Sequence, residues 1–232
     1  VLELIIANKN YSSWSLRPWV LMTTLQIPFN ERLYAFGAPF ADPAFLRVAP
    51  TRRVPVLVDG DESVWDSLAI TEYLAERYPG VWPTDARARA WARSACAEMH
   101  SGFATLRNVC GMNCGLRVSL HEAPSALVSD LARIGELWAE GLARFGGPWL
   151  AGQSFTAVDA FYAPVAFRLQ TYGVSVGEMG DAYAARLLEL PAMQQWYAQA
   201  LAEDWRDLPH EADSRAVGTI TADLRATPKA GT

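Results

Sequence analysis

Three short segments carry residue types whose spacing suits chemistry. The first is Asn10-Tyr11-Ser12-Ser13-Trp14-Ser15-Leu16-Arg17-Pro18. Hydroxyls at the start of a helix sit beside unpaired backbone N–H groups and the positive end of the helix dipole, which favour an anion there. A thiolate is such an anion, and thiol pKa values fall well below ~8.5 in these settings. Serine at this position also serves as an ordinary N-cap. The second segment is Arg53-Val54-Pro55-Val56. Its proline opens a short strand and is a candidate for the cis isomer, found in only ~5–6% of X–Pro bonds. That isomer would turn the Val54 N–H and C=O outward to pair with an extended peptide; the alternative is a trans proline at a strand edge. The third segment is Asp66-Ser67. The Ser67 hydroxyl at a helix N-terminus suits a carboxylate, and Asp66 suits an ammonium, although either is also a plain cap.

The elements that must position these residues follow from periodicity. Leu2–Ala7 reads as a buried strand and Trp14–Leu25 as a helix, with Pro18 tolerated in its first turn. Phe29–Phe36 reads as a second strand and Pro43–Val48 as a turn or two of helix. Val54–Val58, the turn Asp59-Gly60-Asp61 and Ser63–Trp65 read as a hairpin. Asp66-Ser67 then opens a helix closed by Pro79-Gly80. This order, βαβ followed by ββα, is the thioredoxin-like arrangement of an α/β domain. From Thr84 onward no strand signal stands out, so an all-α C-terminal half is expected. Its helices are Asp85–Val109, Ser125–Phe145, an almost wholly apolar Ala157–Tyr172, Asp181–Leu188 and Pro191–Asp204. The expected layout is residues 1–79, a linker at 80–84, a helical domain at 85–205, and a polar, extended or disordered tail at 206–232.

Composition narrows the class. With 51% of its 232 residues apolar or aromatic, the chain can bury a core, which excludes global disorder. No run reaches the ~18 apolar residues a membrane helix requires, and Leu2–Ala7 is too short for a signal sequence. A net charge of −5 without a basic cluster argues against nucleic acid as a partner. Three cysteines, Cys96, Cys110 and Cys114, are an odd number without framework spacing, which fits a reducing, cytoplasmic compartment. Cys110 and Cys114 stand four apart, but zinc wants four ligands and only His100 and His121 are near in sequence. Buried structural thiols and no metal are expected.

Together the three segments describe one site that takes, in line, a thiol beside Ser12 and Ser13, a peptide bond on Val54, and an α-amino-carboxylate on Asp66 and Ser67. That is γ-glutamyl-cysteinyl-glycine, glutathione, read along its length. At this point the chain resembles the cytosolic glutathione transferase family almost end to end. The resemblance rests on the three segments and on Ser154-Phe155-Thr156-Ala157-Val158-Asp159, which looks like the family's buried capping box. The tandem serine followed by arginine is similar to the zeta class. Trp14 stands where that class has cysteine, and Asp66 where it has glutamine. An omega-type relative would carry cysteine at Ser12, so mixed-disulfide chemistry lacks its nucleophile here.

The resemblance implies that a serine hydroxyl, Ser12 first and Ser13 second, donates to the glutathione sulfur and stabilises its anion for attack on a small electrophile. It also implies a homodimer, and a glycine-carboxylate role for Arg52 and Arg53. The electrophile pocket is expected from Met99, His100, Phe103 and Arg107, with Trp14 and Phe36 opposite. Met99 and Phe103 also lie on the helix's core stripe, whereas His100 and Arg107 fall off it. If His100 and Arg107 face the cleft, they favour an anionic electrophile. The alternatives are a glutathione-dependent isomerase of the maleylacetoacetate type and a non-catalytic relative that only binds.

Overall fold

The computed structural model describes residues 1–37 and 42–226. The first half is a four-stranded sheet in the order β2-β1-β3-β4, built from β1 (Leu2–Ile6), β2 (Phe29–Leu33), β3 (Val56–Asp59) and β4 (Glu62–Val64). β2 runs parallel to β1, while β3 and β4 pair antiparallel, the register setting Leu4 opposite Glu31 on one side and Leu57 on the other. β1 is almost wholly buried because its apolar run is central and covered on both faces. β2 is an exposed edge and ends at Leu33, short of the expected Phe36. The helices of this half are α1 (Ser13–Thr24), α2 (Pro43–Val48) and α3 (Ser67–Ala75). The thioredoxin-like βαβ–ββα order holds.

The second half is chiefly helical: α4 (Ala86–Ser101), α5 (Ala104–Val109), α6 (Ser125–Phe145), α7 (Ala157–Tyr172), α8 (Glu178–Glu189) and α9 (Pro191–Ala202). α7 is buried along nearly its whole length, as its unbroken apolarity predicts, and packs against α1, α4 and α8. Its start is held by the buried Asp159, which accepts from the backbone N–H of Thr156 and of Leu150, both at 2.9 Å, and from the Tyr183 hydroxyl at 2.7 Å.

Two expectations for this half are corrected. The single helix expected over Asp85–Val109 breaks at Gly102 and Phe103, where Phe103 adopts φ 55°. Gly102 allows the break, since a Cβ there would lie 2.8 Å from the Glu98 carbonyl oxygen. The segment read as strandless and then as a polar tail also holds β5 (Leu116–Leu120), α10 (Leu208–Val217) and β6 (Gly218–Asp223), with β5 and β6 paired antiparallel. Residues 227–232 of that tail lie outside the described residues.

The returning segment is fixed by a buried charge. Glu211 is 4% exposed. It accepts from the Tyr11 hydroxyl at 2.8 Å and Asn113 Nδ2 at 3.3 Å, and pairs with Arg225, whose Nη2 lies 3.0 Å away. Burial pushes its carboxyl up, but bonds from Arg225 and Tyr11 outweigh this and hold it below the usual range.

Two measurements test this architecture. Asp159→Asn should cost about 2 kcal/mol or more at neutral pH, by leaving buried donors without an acceptor. Burial pushes the Asp159 carboxyl up from 3.8 to about 6, so the native state holds its proton more tightly than the unfolded chain does. That contribution is full below about pH 4 and is lost as pH rises through about 6. Denaturant titrations should therefore show the wild-type margin over Asp159→Asn shrinking across that window. Glu211→Ala leaves the Arg225 guanidinium with Asp223 alone and removes the acceptor of Tyr11 and Asn113, so it should destabilise the returning segment by about 2 kcal/mol. Hydrogen exchange should accelerate in α10 and β6 while β1 and β3 stay protected.

Candidate functional site

The loop joining β1 to α1 is held in place by residues far along the chain. Lys9 N–H donates to Glu203 at 2.6 Å and the buried Lys9 ammonium to Glu31 at 2.7 Å. Asn10 Nδ2 donates to Asn113 at 2.8 Å, and the Asn10 side-chain oxygen accepts from Gly115 N–H at 3.0 Å. Ser12 and Ser13 thus enter α1 from a loop with little freedom. Ser12 Oγ is hydrogen-bonded to Ser15 Oγ at 2.7 Å, which ties it to the neighbouring hydroxyl of its own helix. Ser13 Oγ accepts instead from Arg168 Nη2 at 3.1 Å, which leaves its own proton available and polarises it.

Both serines line a cleft of about 1060 Å³ between the two halves of the chain. Val54, Pro55, Arg52 and Arg53 form one wall. The Val54–Pro55 bond is cis, and pairing of β3 with β1 begins only at Val56, beyond this segment. Asp66 lines the same side. Its Oδ1 caps α3 by accepting from Leu68 N–H at 2.9 Å, while Oδ2 lies 3.2 Å from His100 Nε2. A carboxylate only accepts, so His100 carries its proton on Nε2. Burial lowers the His100 pKa, which keeps the ring neutral. Ser67 is fully buried behind this wall and does not line the cleft, and its hydroxyl has no partner among the described residues.

Trp14, Phe36, His100 and Arg107 complete the expected residues that meet in the cleft. Met99 and Phe103 do not: they are 1% and 7% exposed and pack in the bundle core, in line with their place on the stripe. Arg168, His210, Asp213 and Ser214 line the cleft without having been expected. Arg168 had a signal, being the lone charge near the end of an otherwise apolar helix; the others sit in the segment read as tail.

The electrostatics around Trp14 are one-sided. The Arg17 guanidinium lies 4.0 Å from the Trp14 ring centre and Arg107 lies 5.3 Å from it. Arg17 is 2% exposed, and its Nε and Nη1 have no partner among the described residues. Among the described residues no ion pair joins Arg17, Arg107 or Arg168 to a carboxylate. Burial, then repulsion from Arg107 and Arg168, brings Arg17 down to about 9, and burial brings Arg168 down to about 10. All three remain cations at neutral pH. Such a cluster, with a hydroxyl proton at its edge, is chemically equipped to hold an anion. The cysteines contribute nothing here. All three are free and buried, and burial raises each thiol above its ordinary pKa.

Comparison with known proteins gives the family of the chain. The model of the glutathione S-transferase N-terminal domain matches residues 11–77, and that of the C-terminal domain residues 84–199. Glutathione S-transferase 3 of Zea mays is 32% identical over 133 residues, covering 52% of this chain and 57% of its own. A zeta class glutathione S-transferase of Euphorbia esula is 30% identical over 125 residues, covering 53% and 56%. The chain thus spans a little over half the length of these two relatives. A glutathione transferase homologue from Burkholderia, solved with bound glutathione, superposes with a TM-score of 0.64 at 23% identity, over 86% of this chain and 97% of its own. With both domain models matched in order and the fold shared, this chain belongs to the glutathione S-transferase family.

Proposed function

We propose that this chain is a serine-type glutathione transferase that activates the glutathione thiol for attack on a small, negatively charged electrophile. The observation that carries the reading is the Ser13 hydroxyl, which accepts from Arg168 and keeps its proton free toward the cleft. A sulfur placed there receives that proton as a hydrogen bond, which favours the thiolate over the thiol. Serine is too weak a base to remove the proton itself, so it acts by stabilising the anion. Ser13 therefore precedes Ser12 in this reading, reversing the order expected from sequence.

The remaining contacts follow the length of the tripeptide. The cysteine backbone pairs with Val54, and the γ-glutamyl ammonium meets Asp66, which His100 holds in place. The N-terminal end of α3 beside Asp66 suits the γ-glutamyl carboxylate through its backbone N–H groups, since Ser67 itself is buried off the cleft. Arg52 and Arg53, both exposed at the cleft wall, suit the glycine carboxylate. On the opposite side, Arg107 and Trp14 make a cationic and aromatic wall for the second substrate. A glutathione-dependent isomerase would use the same sulfur and return it unchanged, and product analysis separates it from a transferase. A homodimer and a cytoplasmic setting complete the proposal, the latter supported by three free thiols. Among the described residues no helix is long and apolar enough to cross a membrane.

Retention on immobilised glutathione with release by the free tripeptide tests binding. Ser13→Ala should then lower kcat about a hundredfold, as removal of one anion-stabilising donor does, and Ser12→Ala should cost less. Equal losses in the two variants would contradict the assignment. Arg107→Ala should raise KM about tenfold for carboxylate-bearing electrophiles and leave neutral aryl halides unchanged, a loss of about 1.4 kcal/mol.

A further inference from the structure

Making a thiolate leaves a proton that must go somewhere; the carboxylates of the cleft are Asp66, bonded to Leu68 N–H and His100, and Asp213, which is exposed to solvent. The guanidiniums are donors only. Tyr11 donates its hydroxyl proton to Glu211, and burial pushes its pKa up to about 12. His100 presents its protonated Nε2 to Asp66, and its Nδ1 is buried. One side chain in the cleft has a different disposition. His210, in the first turn of α10, places Nδ1 2.5 Å from Asp207 Oδ2.

A carboxylate can only accept, so the proton between Asp207 and His210 resides on Nδ1. In the neutral ring this leaves the lone pair on Nε2. The ring is also fixed in orientation. It stacks on Tyr11 with centroids 5.0 Å apart and planes 29° apart, and it lies 4.9 Å from the Phe36 ring. Tyr11 precedes the two serines directly, and His210 lines the same cleft as both. The charged groups around the dyad are Asp207, Glu211 and Asp213 on its own segment, with Arg225 paired to Glu211, and Tyr11 from the loop.

We propose that His210, oriented by Asp207, is the proton acceptor for the thiol of bound glutathione. The inference rests on the glutathione reading above. In the step, the S–H bond breaks with its electron pair left on sulfur, and the proton forms a bond to His210 Nε2. The resulting imidazolium is held against the Asp207 carboxylate. The sulfur then bonds to the electrophilic carbon as the leaving group departs with its own electron pair. His210 returns its proton to water before the next turnover. Neutral hydroxyl donation and proton removal are thereby divided between α1 and α10.

Rapid mixing of the full-length protein with glutathione, followed by the ultraviolet band of the thiolate, tests this directly. His210→Ala should slow thiolate formation about a hundredfold, within the range ascribed to a positioned base. Added imidazole should restore the rate, more basic imidazoles restoring more. His210→Gln, which keeps the side chain's bulk in α10, should be as slow as the alanine variant. Asp207→Asn should fall between them and wild type. Thiolate formation at the wild-type rate in both His210 variants would overturn the proposal. So would a slow variant that no imidazole rescues, because that is the behaviour of a packing contact. A wild-type protein that shows no thiolate band removes the glutathione reading itself, and the dyad with it.

Discussion

Buried positive charge without a matching carboxylate is the constraint on which this site depends. Arg17, Arg107 and Arg168 converge on the first turn of α1, and aromatic faces rather than acids are the partners of Arg17. A buried cation left in this state is costly, and a ligand anion relieves the cost. The helix dipole at Ser13 acts in the same direction. Positioning is supplied by the loop, whose polar groups are bonded to residues about a hundred and two hundred positions away.

Long-range bonding also explains why the two halves act as one site. α1 packs against the sheet-side α3 and also against α7 and α9 of the helical half. Arg168 reaches Ser13 from α7, and the segment after α9 returns so that Glu211 bonds Tyr11. The cleft is thus assembled from the β1–α1 loop, the segment before β3, α4 with α5, α7 and α10. Loss of the returning segment would remove one wall of the cleft and the His210 imidazole that lines it.

Legibility in the sequence followed the range of the interactions. Local signals were the readable ones: Pro55, for which cis and trans both stood open, is cis, Asp66 caps α3, and the apolar α7 is buried. The long helix over 85–109 was misread because its core stripe runs on through the break, with Met99, Phe103, Leu106 and Cys110 all buried. β5 carries the alternation Leu116, Val118, Leu120, a strand signal five residues long that is easily lost among helices. α10 begins with Asp207 and Pro209, a valid start signal, but it lacks the apolar stripe that marks a helix. It is tied to the rest of the chain by Glu211, through Tyr11, Asn113 and Arg225. Pairing of that kind leaves no periodic trace, and the same is true of Arg168 meeting Ser13.

The central claim is that a hydroxyl polarised by a buried guanidinium holds the sulfur as an anion. Titrating the ultraviolet thiolate band of bound glutathione in wild type, Ser13→Ala and Arg168→Met tests it most directly. The account predicts a wild-type thiol pKa well below the ~8.5 of a free thiol, and a rise toward that value in both variants. A bound thiol whose pKa is the same in all three proteins would contradict it.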